Sequence, residues 1–172
     1  MSVIRKAFFC LFFISAIAFF YVTVSDVHSA KKVYQGKVIK VTDGDSINIL
    51  HEGKPLRIRL AEIDAPECGQ PFWKKSREAL VDYVAGKEVE VIEVDIDRYE
   101  RIVGQVYVGD LWVNGALVRG GYAYGYPEYA TSSRLYEFEE EARESQAGIF
   151  GSYQRKRERS RGSGENRKEN DR

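Results

Sequence analysis

Cysteine, histidine, methionine and proline are scarce in this chain of 172 residues. It contains two Cys, two His, one Met and four Pro. Cys10 lies in an apolar N-terminal run, so removal of that run would leave Cys68 without a partner for an intrachain disulfide. Because the Cys and His residues form no cluster, zinc-type and other soft-metal sites are excluded. Any metal chemistry must therefore use oxygen ligands.

Net charge is also absent overall, since 26 Lys and Arg balance 26 Asp and Glu, but it is unevenly distributed. Residues 31–154 carry 16 basic against 21 acidic side chains, whereas residues 155–172 carry 8 against 4. An acidic domain binds nucleic acid poorly through counterion release alone. A phosphate ligand would therefore need a local arrangement of donors or a bound cation.

Long apolar runs are limited to one, at the N-terminus. Residues 7–24 contain no charge, Gly or Pro, and Arg5 and Lys6 precede them. This pattern is typical of an export segment, and small residues near Ala30 offer a cleavage site. The run also approaches the length that spans a bilayer. It predicts a signal peptide or a signal anchor within residues 1–30, and therefore an exported protein that is secreted, periplasmic or anchored facing outward.

Short segments of alternating hydrophobicity dominate the chain from residue 34. Strands are predicted at residues 37–41, 46–50, 56–60, 88–94 and 102–108 and, after a Gly-Asp turn, 111–113. Amphipathic or capped segments predict helices at residues 73–84, 114–119 and 133–146. This order is typical of a mainly β, α+β domain: a five-stranded Greek-key barrel of the OB type with about three helices, over residues 31–153.

The last residues have a different composition. Residues 154–172 contain Arg, Lys, Glu, Ser, Gly and Asn but no large apolar side chain. Such a segment cannot bury enough apolar surface to offset the entropy of ordering. We expect a disordered basic tail.

Two acidic segments follow predicted strands. Asp43-Gly44-Asp45 is also a common hairpin-turn sequence, and Asp64 to Glu67 could be a plain polar loop. If the preceding strands are neighbours, however, Asp45 and Asp64 can converge as oxygen ligands for a hard cation such as Ca²⁺. Glu67 is a candidate base for a water molecule that attacks phosphorus. Its alternative role is a favourable charge before a helix N-terminus.

Arginine supplies the complementary charge. A guanidinium offers a planar pair of donors to two phosphate oxygens, which lysine cannot match. Arg57 and Arg59 share one face of a predicted strand, so their spacing alone does not choose between them. Arg101 is a second candidate, although it could be an ordinary loop charge. Four tyrosines could stack on bases, with at most two expected to do so: Tyr122, Tyr124, Tyr126 and Tyr129.

Five short blocks together resemble the staphylococcal nuclease (thermonuclease) family. They are Asp43–Ser46, Arg59–Leu60, Asp64–Glu67, Asp97–Arg101 and Val113–Arg119. Each block alone is weakly specific, but all five occur in the family's order and approximate spacing. The resemblance covers residues 34–150, which is nearly the whole predicted folded part.

The resemblance implies an OB-fold enzyme that hydrolyses DNA and RNA phosphodiesters with Ca²⁺ and little sequence specificity, leaving 3′-phosphate ends. It implies that Asp45 and Asp64 bind Ca²⁺, with the backbone carbonyl of Ala65 as a further ligand. It also selects Arg59 over Arg57 as the residue that holds the scissile phosphate. We expect a monomer.

The resemblance implies roles for the remaining site residues as well. Glu67 would orient or deprotonate the attacking water, and Arg101 would stabilise the charge that builds on phosphorus. Tyr99 would contact a neighbouring phosphate, and Tyr126 would contact the substrate. Glu100 departs from the family, which usually has Gly there, and the change adds a negative charge beside Arg101 and removes backbone freedom.

Two competing hypotheses follow from the same residues. The first is an OB-fold nucleic-acid-binding protein with weak or lost catalysis, and the complete set of expected catalytic residues argues against it. The second is an anchored surface protein whose basic tail binds anionic polymer or lipid while the barrel acts as a spacer. The blocks named above favour the enzyme.

Overall fold

The structure is a computed structural model that describes residues 31–126 and 133–152. Within these ranges the elements are β1 (Val33–Asp43), β2 (Ser46–His51), β3 (Lys54–Leu60), β4 (Ile63–Asp64), α1 (Trp73–Val84), β5 (Glu88–Ile96), β6 (Ile102–Val108), β7 (Leu111–Trp112), α2 (Val113–Arg119), β8 (Tyr124–Gly125) and α3 (Ser133–Glu144). The predicted export segment at residues 1–30, the predicted tail at 154–172 and Tyr129 lie outside the described residues.

Five strands form a closed barrel, which confirms the predicted α+β fold of the OB type. The strand order is β3-β2-β1-β5-β6, with β7 beyond β6, and β3 also pairs with β6. This closing pair is parallel and matches Ile58 with Ile102 and Arg59 with Val103. Closure leaves the barrel strands without a free edge. It also brings the strand that carries Arg59 beside the residue that follows Arg101.

The barrel core is built from alternate residues of the strands, as their hydrophobic pattern predicts. Ile47, Ile49 and Ile58 are at most 1% exposed, and Leu80 of α1 is fully buried in the same core. On β3 the face opposite the core carries Arg57 and Arg59. Among the residues that the structure describes, no helix is long and apolar enough to cross a membrane.

The helix boundaries agree closely with the sequence. α1 has the predicted bounds and is followed by Gly86 at φ 69°, a left-handed conformation that ends the helix. α2 begins one residue earlier than predicted, and α3 ends at Glu144 rather than at residue 146. The short β4–β8 pair was not predicted, because a two-residue strand has no readable periodicity.

Candidate active site

Asp45 lies in a tight turn of the barrel and is buried there. Asp43 pairs with Ser46, so Gly44 and Asp45 form a two-residue connection between β1 and β2. The predicted turn is therefore present at this segment. A Cβ at Gly44 would lie 2.7 Å from the Ala65 Cβ, so only glycine allows the turn to approach the segment after β4.

Asp45 is only 2% exposed, and its carboxyl accepts hydrogen bonds from neighbouring groups. Oδ1 accepts from the Ser46 hydroxyl at 2.9 Å, and Oδ2 accepts from the Ala65 N–H at 3.1 Å. Burial raises the pKa of Asp45, while the charge of Arg59 and these two hydrogen bonds oppose the rise. Because burial prevails, the negative charge of Asp45 remains incompletely compensated by the protein.

Arg59 connects the two predicted metal ligands. Its Nη1 lies 2.8 Å from Asp45 Oδ2, and its Nη2 lies 3.1 Å from Asp64 Oδ1. Asp64 comes from the two-residue strand β4, which pairs with Tyr124 of β8. The structure thus brings together Asp45 of the β1–β2 turn, Arg59 of β3 and Asp64 of β4.

Glu67 belongs to the same group of charges. Although the residue as a whole is exposed, desolvation of its carboxyl raises its pKa, and repulsion from Asp43 and Asp45 adds to the rise. A hydrogen bond with Asp43 acts in the same direction, whereas Arg59 lowers the pKa. A carboxyl whose pKa is raised is a stronger base once it is ionised.

Arg101 is presented by the turn between β5 and β6. Its Nε donates to Asp97 Oδ2 at 2.7 Å, and its guanidinium lies 5.5 Å from the centroid of the Tyr99 ring. The ring of Tyr99 is 54% exposed and also faces Arg98 at 4.9 Å. The predicted phosphate contact, Tyr99, therefore lies on the surface beside Arg101.

Two neighbouring cavities meet at these arginines. A cleft of about 230 Å³ is lined by residues that include Asp45, Glu67, Arg59 and Arg101. A second cavity of about 440 Å³ is lined by Asp64, Tyr126 and the same two arginines. Tyr126 is 44% exposed, so its surface is available at the rim of the site. A larger cavity of about 750 Å³ lies elsewhere, against β7 and α2, and none of the predicted site residues lines it.

The structure separates the two arginines of β3, which periodicity could not. Arg57 Nη2 donates to the main-chain carbonyl of Tyr99, whereas Arg59 lies between Asp45 and Asp64. Both side chains line the smaller cleft. No local sequence pattern predicts this contact of Arg57, because it joins residues 42 positions apart.

Asn114 is another residue whose contribution sequence reasoning missed. It is fully buried on α2, where its Oδ1 accepts from Val106 N–H at 2.9 Å and its Nδ2 donates to the Ala61 carbonyl at 2.9 Å. Ala61 lies in the short connection between Arg59 and Asp64. Asn114 therefore holds that connection from inside the fold.

The available ligands suit a hard cation. Within residues 31–126 and 133–152, no group of three or more His, Cys, Asp or Glu side chains has metal-binding geometry. Asp45 and Asp64 nevertheless supply two oxygen-only side chains, and Ca²⁺ and Mg²⁺ commonly complete such pairs with carbonyls and water. Because burial raises the pKa of Asp45, additional positive charge nearby would stabilise its ionised form. The residues therefore fit a divalent cation.

Comparison with known proteins agrees with this geometry. The model of the staphylococcal nuclease homologue family matches residues 57–152. A micrococcal nuclease of Shigella flexneri is 37% identical over 128 residues, which cover 68% of this chain and 74% of that protein. A protein of Escherichia coli named as an uncharacterized endonuclease is 40% identical over 130 residues, covering 75% of this chain and 80% of the relative.

The barrel, the site and these relatives identify the protein as a hydrolase of the endonuclease type. Within that class, the chain belongs to the staphylococcal nuclease family.

Proposed function

We propose that this protein is an exported, Ca²⁺-dependent nuclease that hydrolyses DNA and RNA with little sequence specificity and leaves 3′-phosphate ends. One observation carries the proposal: a single cleft is lined by a buried carboxyl, a second carboxyl with a raised pKa, Arg59 of β3 and Arg101 of the turn before β6. Carboxylates alone would repel a phosphodiester, so this combination suits phosphate chemistry only with a cation.

Asp45 and Asp64, with the Ala65 carbonyl, would hold the Ca²⁺. When bound, the ion supplies neutralisation of the carboxylates and polarisation of the phosphoryl oxygen. The remaining chemistry belongs to the side chains of the cleft, and oxygen-only ligands explain the choice of a hard cation over zinc.

Arg59 and Arg101 bind the phosphodiester through paired N–H donors. Glu67 accepts a proton from the attacking water as the new oxygen–phosphorus bond forms. Arg101 donates to the phosphoryl oxygens as negative charge builds on them, which is the stage at which fixed donors accelerate the reaction most. The bond from phosphorus to the 5′ oxygen then breaks, that oxygen takes a proton from solvent water, and the phosphate stays on the 3′ side.

Tyr99 and Tyr126 would contact the flanking nucleotides. Both are exposed beside the arginines, and Tyr126 borders the 440 Å³ cavity. Stacking on aromatic rings tolerates any base, so it agrees with low sequence specificity. The N-terminal apolar run supports export. Outside the cytosol, abundant Ca²⁺ favours occupancy of a partly hydrated site. We propose that the protein is a monomer that is secreted, periplasmic or anchored facing outward through residues 7–24.

The proposal is tested by digestion of a labelled oligonucleotide with Ca²⁺ present and then with a chelator. We expect cleavage only with the cation, and products whose 3′ ends are extended by a polymerase only after phosphatase treatment. Arg101→Ala should lower the rate about 10²-fold or more, as removal of a transition-state donor does. Arg119→Ala is the matched control, since Arg119 pairs with Glu141 and does not line the cleft.

The outcomes decide between the hypotheses. Equal cleavage with and without the cation, or no cleavage in either case, contradicts a metal-dependent nuclease. Tight binding of the oligonucleotide without hydrolysis would instead support the OB-fold binding protein.

A further inference from the structure

Arg57 makes a contact that the proposed chemistry does not use. Its Nη2 donates to the main-chain carbonyl of Tyr99, which lies in the turn at residues 97–101. Arg57 precedes Ile58, and Ile58 pairs with Ile102 at the start of β6. The contact therefore joins the strand that carries Arg59 to the turn that carries Arg101.

Asp97 holds the same turn from its inner side. Its Oδ1 accepts from the N–H groups of Tyr99 and Arg101 at 2.9 and 3.0 Å, and its Oδ2 accepts from Arg101 Nε at 2.7 Å. The Asp97 carbonyl accepts from Glu100 N–H at 2.9 Å. The peptide between Tyr99 and Glu100 is thus held on both sides, by Asp97 at its N–H and by Arg57 at its carbonyl.

Glu100 makes that peptide the least stable part of the turn. Its φ is 60°, in the left-handed region where a side chain with a Cβ is unfavourable and glycine is not. Rotation of the Tyr99–Glu100 peptide would return φ of Glu100 to negative values. The same rotation would turn the Tyr99 carbonyl away from Arg57 and break both hydrogen bonds.

We propose that Arg57 is a positioning residue that holds the Tyr99–Glu100 peptide against this rotation and so keeps Arg101 directed into the cleft. The proposal rests on the proposed catalytic role of Arg101. It differs from direct phosphate binding by Arg57, which its position in the cleft also allows. The two roles separate at residue 100, because glycine there removes the strain that Arg57 opposes.

The test uses four forms of the full chain: the parent, Arg57→Gln, Glu100→Gly and the double variant. Steady-state cleavage of a short single-stranded oligonucleotide should show that Arg57→Gln lowers kcat about tenfold with KM nearly unchanged, the effect of one lost charged hydrogen bond. Glu100→Gly should restore most of that loss in the double variant. Lys54→Gln is the control, since it removes one positive charge from β3 outside the cleft.

A raised KM that glycine at position 100 does not restore would overturn the proposal in favour of phosphate binding. Parent-like kinetics of Arg57→Gln would overturn it as well, because Arg101 would then be positioned without Arg57.

A second measurement does not depend on catalysis. The N–H of Arg101 bonds to Asp97, and its hydrogen exchange should be about tenfold faster in Arg57→Gln than in the parent. The double variant should exchange this hydrogen no faster than Glu100→Gly does. If the parent cleaves no nucleic acid, the proposed function fails while this exchange pattern still tests the contact. Equal exchange rates in all four forms would show that Arg57 does not hold the turn.

Discussion

Asn114 provides the sharpest test of how the fold supports the site. The perturbation is Asn114→Ala, which removes an amide that is 0% exposed and bonded to three main-chain groups. The Gly104 carbonyl keeps another partner, since it also accepts from Ala61 N–H at 2.8 Å. The Val106 N–H and the Ala61 carbonyl lose the bonds that Asn114 supplies, in surroundings where both residues are at most 1% exposed.

The magnitude follows from those two groups. A buried polar group left unpaired costs about 1–3 kcal/mol, so the pair costs about 2–6 kcal/mol, and the small cavity adds roughly 1 kcal/mol. We expect a loss of about 3–7 kcal/mol in the free energy of unfolding. This is a large part of the roughly 5–15 kcal/mol that stabilises a typical domain.

The assay is equilibrium unfolding in urea followed by circular dichroism. With a slope of about 2 kcal/mol per molar urea, the midpoint should fall by about 1.5–3.5 M. Gln35→Ala is the matched control, because its amide bonds to Glu90 on the surface and should change stability by less than about 0.5 kcal/mol. A loss below about 1 kcal/mol for Asn114→Ala would contradict this prediction, since it would mean that the two main-chain groups find other partners.

Two further predictions concern pH. Desolvation and repulsion from neighbouring carboxylates raise the pKa of Glu67, and only its ionised form accepts a proton, so kcat/KM should rise with pH through an acid limb above the ordinary Glu range. Glu67→Gln should abolish that limb, and a limb that persists in Glu67→Gln would argue against Glu67 as the base. Burial alone would raise the pKa of Asp97, but hydrogen bonds from Arg101 and Tyr99 outweigh it and lower the pKa. Asp97 therefore stabilises the fold above the ordinary Asp pKa, and this contribution is lost as pH falls through the lowered value. Urea unfolding at several pH values should show that Asp97→Asn is less stable at neutral pH and less sensitive to acid; an unchanged acid dependence would contradict this.

The strands and helices could be predicted from the sequence because the pattern that identifies each of them is local. Alternating residues such as Ile47 and Ile49 identify strands, and the period of α1 and its following glycine identify a helix and its end. The resemblance of five short blocks to one family predicts that Asp45, Asp64 and Arg59 belong to one site. The scarcity of Cys and His independently directed that hypothesis to oxygen ligands.

Which side chains meet depends on tertiary structure, because barrel closure joins residues that are distant in sequence. The parallel β3–β6 pair brings Arg59 beside the end of the turn that carries Arg101. The same closure gives Arg57 a partner 42 residues away, and burial gives Asn114 its three bonds. Periodicity assigns a residue to a face of its own strand, but the partner across the barrel depends on strand register and closure, which no local pattern encodes.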